Sequence, residues 1–196
     1  MFNISLGSSS LNLTDEKLLE QTKKWNARAF EEIYERRNQK IFSYLMTILN
    51  YNKEESNQIL WDVFIALYEY NKENKIQNCK SFLYMTAHNR ALDLIKKKSE
   101  IYDQESLQDS VIDYKDQETK DKIESDFKEK FMQKYLNMLG GDERQVIHLY
   151  YYEEKSYEEI ATIIWSNKNT VWRNIMQAKK KLKSFLQNED DMQLFI

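Results

Sequence analysis

Residues 156–182 read SYEEIATIIWSNKNTVWRNIMQAKKKL and hold two helix starts separated by one tight turn. Ser156 with Glu159 three residues on is a capping box, in which each side chain satisfies the other residue's free backbone N–H. Ile160, Ala161 and Ile164 give the short helix that follows an apolar edge. Trp165-Ser166 turns the chain, Asn167 can cap a second helix, and Val171 and Ile175 carry the apolar edge onward toward residue 186. A short capped helix, a tight turn and a longer helix make the helix-turn-helix outline, and small Ala161 lets the two helices cross closely. The second helix carries Lys168, Arg173, Lys179, Lys180, Lys181 and Lys183, with no acid from 167 to 186. Such a segregated cationic face suits a polyphosphate, because displaced counterions drive the binding.

The rest of the chain has to be compatible with that outline. Its 196 residues include three glycines, no proline and one cysteine, and the net charge is −3. Hairpins and sheet edges usually draw on Gly and Pro, so an all-β fold is disfavoured, and glycine-rich nucleotide-binding loops are excluded. Cys79 alone can form neither a disulfide framework nor a cysteine zinc site. No apolar run approaches a membrane span, and the N-terminus lacks a basic n-region and a long apolar h-region. A cytoplasmic, non-membrane protein is expected.

Upstream, the apolar residues recur at helical spacing. Thr14 can cap a helix with Asp15 and Glu16 in its first turn. Stripes follow at Phe30, Ile33, Tyr34, Ile41, Tyr44, Leu45 and Ile48, and at Ile59, Leu60, Val63, Phe64, Leu67 and Tyr68, with a break at Asn50-Tyr51-Asn52. Residues 71–80 read as a polar loop, Ser81 as the next cap, and the last helix ends in Lys96-Lys97-Lys98. Residues 100–130 hold eleven acids and five lysines, with little to bury against their ordering entropy. Met132, Tyr135, Leu136 and Leu139 begin a second helical unit, Gly140-Gly141 interrupts it, and Asp142 can cap the next helix. The expected fold is all-α: a frayed 1–13, a helical domain 14–99, an acidic linker 100–131, a helix-turn-helix domain 132–187 and a tail 188–196.

Four blocks then make a resemblance specific: AFEEIYERRNQKIFSYL (29–45), DVFIALYEY (62–70), SFLYMTAHNRALDLIKKK (81–98) and DERQVIHLYYYEEKSYEEIATII (142–164). In this order, with an acidic segment before the last, they resemble the bacterial sigma factors of the extracytoplasmic-function type, a branch of the sigma-70 family. The resemblance implies core RNA polymerase and promoter DNA as partners, an anti-sigma factor as a further one, no cofactor and no enzymatic activity. It implies polymerase contacts by Gln58, Trp61, Asp62 and Phe64. It implies −10 DNA contacts by Asn74, Lys75, Asn78 and Lys80 in the loop and His88, Asn89, Arg90, Lys96 and Lys97 on the helix, around a base unstacked from its neighbours. It also implies −35 contacts by Lys168, Asn169, Thr170, Trp172, Arg173, Met176, Gln177 and Lys180; an Arg can pair bidentately with guanine and a Gln with adenine.

The chain departs from the family pattern at informative places. Trp165 and Ser166 stand in the turn where Gly and an apolar residue are usual, Trp61 joins the docking helix, and Leu139-Gly140 replaces Leu-Pro. His88 and His148 are sixty residues apart without HxxxH spacing, so no metal site is expected, and no nucleophile–base pair argues for catalysis. Two rival readings share most of the pattern. One is a helix-turn-helix regulator acting without polymerase; the other is a sigma-like interaction protein that does not read DNA.

Overall fold

The computed structural model describes residues 13–24, 26–105 and 135–188, with side chains through 100 and 185 in the last two stretches. Of the expected acidic linker 100–131, residues 100–105 still belong to the helix that ends at Glu105, and residue 188 of the expected tail ends the last helix; the rest of both, and nearly all of the expected N-terminal segment 1–13, fall outside the described residues. The fold is all-α, with no strand among the described residues.

The first group comprises α1 (Asp15–Thr22), α2 (Ala27–Ile48), α3 (Lys53–Glu73) and α4 (Cys79–Glu105). Thr14 caps α1 by accepting from the Lys17 N–H, and Asn26 and Asn52 cap α2 and α3 in the same way. Asn50 and Tyr51, at φ 51° and 62°, turn the chain between α2 and α3 in the left-handed region. Asn visits that region readily, whereas Tyr does so against a steric penalty.

Two local expectations shift. Helix α3 runs on to Glu73, because the Asn74 N–H still finds the Tyr70 carbonyl and buried Asn71 ties α3 to the Leu19 carbonyl and Thr22 hydroxyl of α1. Helix α4 begins at Cys79, so Asn78, rather than Ser81, is its cap: Asn78 Oδ1 accepts from the Ser81 N–H at 2.8 Å.

The second group comprises α5 (Gly141–Ile147), a π-helical turn at His148–Tyr152, α6 (Tyr157–Ile163) and α7 (Lys168–Asn188). Helix α5 starts one step before Asp142. The extended Gly140 is its cap residue, and the Glu143 carboxylate reaches back to the Gly140 N–H at 3.0 Å. The π turn directs His148 and Leu149 inward while Tyr151 and Tyr152 stay exposed.

The buried side chains of the two groups form one continuous apolar cluster, from Leu18, Ile33 and Leu67 through Tyr44 and Ala87 to Leu149, Ile160 and Ile175. Helix α2 packs against α5 and the π turn, and α4 packs against α6. The helix-turn-helix is thereby seated along α2 and α4.

Candidate nucleic-acid interface

The helix-turn-helix is built by local hydrogen bonds. Ser156 Oγ accepts from the Glu159 N–H at 3.2 Å, and Glu159 Oε2 accepts from the Ser156 N–H at 2.9 Å. That backbone bond, helped by Lys155, draws the Glu159 carboxyl down to about 2. At the far end of α6 the Ser166 N–H donates to the Ala161 carbonyl at 2.9 Å, closing a Schellman turn with Trp165 in the left-handed position, φ 51°. Asn167 Oδ1 accepts from the Thr170 N–H at 2.9 Å and caps α7. Every piece of the sequence outline is therefore made by its own residues, with Trp where Gly would be unstrained.

Helix α7 buries Val171, Ile175 and Ala178, which repeat at helical spacing. That registers Lys168, Asn169, Trp172, Arg173, Met176, Gln177 and Lys180 as exposed and Thr170 as half-buried. Not all the cations point freely outward. Lys168 pairs with Glu158, Lys181 pairs with Glu143, and Lys179 lies over the rings of Tyr150 and Tyr151 at 5.4 and 5.3 Å. Arg173 and Lys180 lie on the exposed side with Gln177, Trp172 and Met176. A large flat aromatic, a planar guanidinium and an amide on one helix edge can together stack, pair bidentately and fill an apolar gap at base edges.

The residues expected at the −10 element are more scattered. Asn74 and Lys75 are exposed in the connection before α4, and Asn78 is spent on the α4 cap. Lys80 is half-buried, and burial together with nearby Lys155 and Lys40 pushes its amine below the usual lysine range. His88, 2% exposed, lies in the interior with its Nδ1 3.3 Å from the Tyr44 hydroxyl. Asn89 Oδ1 accepts from the Trp165 indole N–H at 2.9 Å. Arg90 lies 4.0 Å from Asp62, and Lys96 lies 4.0 Å from Glu100; Lys97 is exposed.

Of the residues expected to meet polymerase, Gln58 and Trp61 are exposed, and Trp61, at 62%, stacks on Tyr34. Asp62 is half-buried. Phe64, 1% exposed, is a core residue and holds the helix rather than its surface. Cys79 is buried, and burial pushes its thiol up to about 12, far from the range of a reactive thiolate.

The structure also brings together residues that the sequence did not single out. Thr47 Oγ1 meets His148 Nδ1 at 3.0 Å, Arg144 donates to Asn50 Oδ1 at 2.9 Å, and Lys40 lies 3.7 Å from Glu153. Lys155 sits over the Tyr84 ring at 5.8 Å. All of these contacts cross between the two helical groups.

Residues 132–182 match the family described as sigma-70, region 4. No curated protein sequence matches the chain. Among solved structures, CnrH in complex with the cytosolic domain of CnrY is similar at a TM-score of 0.65 and 17% identity, over 90% of this chain and 99% of that one. The sigma factor RpoE in complex with the anti-sigma factor NepR, from Bartonella quintana, is similar at a TM-score of 0.62 and 18% identity, over 82% of this chain and 98% of that one. At such identities the likeness is one of fold.

Proposed function

We propose that the chain acts as a sigma factor of the extracytoplasmic-function type, with residues 132–182 as its sigma-70 region 4. In this reading it binds core RNA polymerase and directs it to promoters with a −10 and a −35 element. The single observation that carries it is α7, a capped second helix of a helix-turn-helix. Its apolar edge is fully buried, and its exposed edge joins Arg173, Gln177 and Lys180 to Trp172 and Met176. That edge presents the groups needed for base edges in a major groove and for the phosphates beside them.

The first group supplies the other contacts. Trp61, Gln58 and Asp62 offer a docking face for polymerase on α3, and α4 with the loop before it faces the −10 strand. As in the complex of RpoE with the anti-sigma factor NepR, an anti-sigma protein is a further partner. No residue has a catalytic role in this mechanism. Binding free energy alone selects where initiation starts, and the units act together because polymerase holds both against one promoter.

The test is transcription from a randomised promoter library by core polymerase with and without the chain, followed by sequencing of the transcripts. The expected result is defined start sites, each preceded by two shared motifs, only when the chain is present. Tight binding of duplex DNA without polymerase would favour the regulator reading. Polymerase binding without defined starts would favour an interaction protein.

A further inference from the structure

Helix α7 outruns the group it packs on. Its inward edge continues from Val171, Ile175 and Ala178 to Leu182 and Phe185, in steps of three and four residues. The first three are fully buried, but Leu182 and Phe185 are only half-buried. Beside this end, where α7 lies against α5, a groove of about 430 Å³ is lined by Glu143, Gln177, Lys180, Lys181 and Ser184. Its walls are mostly the carbon stems of long polar side chains, which can cover apolar surface while their heads stay in water. Lys181 is held by Glu143 at 2.8 Å, whereas Lys180 and Lys183 are exposed and have no carboxylate partner among the described residues.

The segment that follows α7 has the complementary composition. Residues 189–196 read EDDMQLFI: three acids, then four apolar residues around one Gln. These are the first acids in the chain after Glu159. The reach is sufficient, because eight extended residues span up to about 26 Å. The groove residues of α7, Gln177 to Ser184, lie only about 6–17 Å back along the helix axis from Asn188. A tether that short holds the segment at an effective concentration on the order of millimolar, so a weak contact suffices to seat it.

We propose that residues 189–196 dock on this groove and compete there with duplex DNA. Glu189, Asp190 and Asp191 answer Lys180 and Lys183, and Leu194, Phe195 and Ile196 cover the half-buried end of α7. This rests on the reading of α7 as the −35 helix and names a regulator of that same site. Gln177 and Lys180 belong both to the groove and to the exposed edge offered to DNA, so they serve one occupant at a time. Trp172 and Arg173 lie beyond the groove and stay open. A tethered competitor lowers the affinity for every sequence by one factor, which empties the weakly held, non-specific sites first.

The experiment pairs a distance with an affinity on the full chain. Spin labels at Asp142→Cys and Gln193→Cys, with Cys79 buried, report where the segment lies. A large excess of unlabelled chain ensures that only distances within one copy are read. A short, narrow distance is expected, and Leu194→Ser with Phe195→Ser is expected to broaden it. Fluorescence anisotropy with a labelled, randomised 20-base-pair duplex reports the competition. Leu194→Ser with Phe195→Ser, which leaves the charge unchanged, is expected to tighten duplex binding about tenfold. Glu189→Gln, Asp190→Asn and Asp191→Asn together are expected to do the same, and an unchanged Tm shows that both variants still fold. A broad distance in the parent chain overturns the proposal. So does a short distance that vanishes on dilution, which seats the segment on a second copy. Duplex affinity that fails to rise with Leu194→Ser and Phe195→Ser also overturns it, because any gain on removing the acids is then general repulsion of DNA. Promoter-directed transcription with core polymerase is scored separately: defined starts alongside an overturning result leave the sigma reading standing, and a seated segment without defined starts removes that reading but not the docking.

Discussion

Helices α4 and α7 carry the same kinds of residue and expose them differently. On α7 the apolar edge Val171, Ile175 and Ala178 is satisfied within its own group, and Trp172, Arg173, Met176 and Gln177 are left at the surface. On α4, Asn89 is bonded to Trp165, Arg90 faces Asp62, Lys98 pairs with Glu55, and His88 is interior. One helix holds its polar face ready, whereas the other has its polar face answered by the same chain. Residue type therefore does not decide availability; the packing of the opposite face does. A helix between two helical groups has both faces spoken for, while a helix at the end of a group has one.

The strongest way to break this contrast is to remove the packing that frees α7. Ile175 is fully buried, and Ile175→Ala deletes three heavy atoms from a site that cannot fully collapse. It is expected to cost about 2–5 kcal/mol, visible as a lower Tm by circular dichroism, with α7's DNA contacts weakened although no exposed residue has changed. An Arg173→Lys substitution, which leaves the interior intact, should not move the Tm measurably.

Protonation acts on the seam between the two helical groups. Burial draws the His148 imidazole down to about 4 from an ordinary 6.5, and His88 is moved the same way by burial, against an opposing pull from Asp142. The folded chain thus resists a proton that the unfolded chain accepts. The His148 contribution to stability is complete above about pH 6.5 and is lost progressively as the pH falls toward 4, and His88 acts in the same direction. For His148 the loss amounts to about 3 kcal/mol at the acid end. Denaturant unfolding between pH 7 and 4 checks it: His148→Gln is expected to flatten the profile relative to the parent, a comparison in which the ordinary carboxylates cancel. Equal slopes would place the acid sensitivity elsewhere.

On the exposed face the expected effect is one of selectivity. Arg173→Ala is expected to cost about 1–3 kcal/mol at the preferred −35 sequence and to relax the preference at one position. Lys180→Ala, a change of charge rather than of readout, should weaken binding to all sequences alike and lower the salt dependence. Promoter-library transcription at two salt concentrations separates the two outcomes.

What the sequence made legible is what is local. The Ser156–Glu159 box, the Asn167 cap and the turn at Trp165 join residues a few positions apart, and each is found where the spacing put it. The buried stripes of α2, α3 and α7 follow from periodicity alone. Phe64 is the instructive miss. Family resemblance put it at a polymerase surface, yet its own spacing with Leu60, Val63 and Leu67 places it in the buried stripe, where it lies. His88 repeats the lesson, four residues beyond buried Tyr84. The seam left no trace in any window of the sequence. His148 and Thr47 are 101 residues apart and Trp165 and Asn89 are 76 apart, so no local pattern can couple them.

The smallest effect comes from two aromatic residues in the left-handed region, one in each group. Trp165 is 69% exposed, so replacing it removes little buried surface, whereas Tyr51 is half-buried between the groups near Arg144. Glycine relieves a left-handed strain of about 1–2 kcal/mol and costs about 0.5–1 kcal/mol in backbone entropy. Trp165→Gly is therefore expected to leave unfolding stability equal or higher by about 0.5 kcal/mol, even though it deletes a hydrogen bond to α4. Tyr51→Gly gains the same relief but surrenders packing at the seam, and is expected to be neutral or destabilising. If Trp165→Gly instead lowers the Tm more than Tyr51→Gly does, the exposed indole holds the two groups together more strongly than the buried contacts around it, and the contrast between an open α7 and an answered α4 reduces to that one bond.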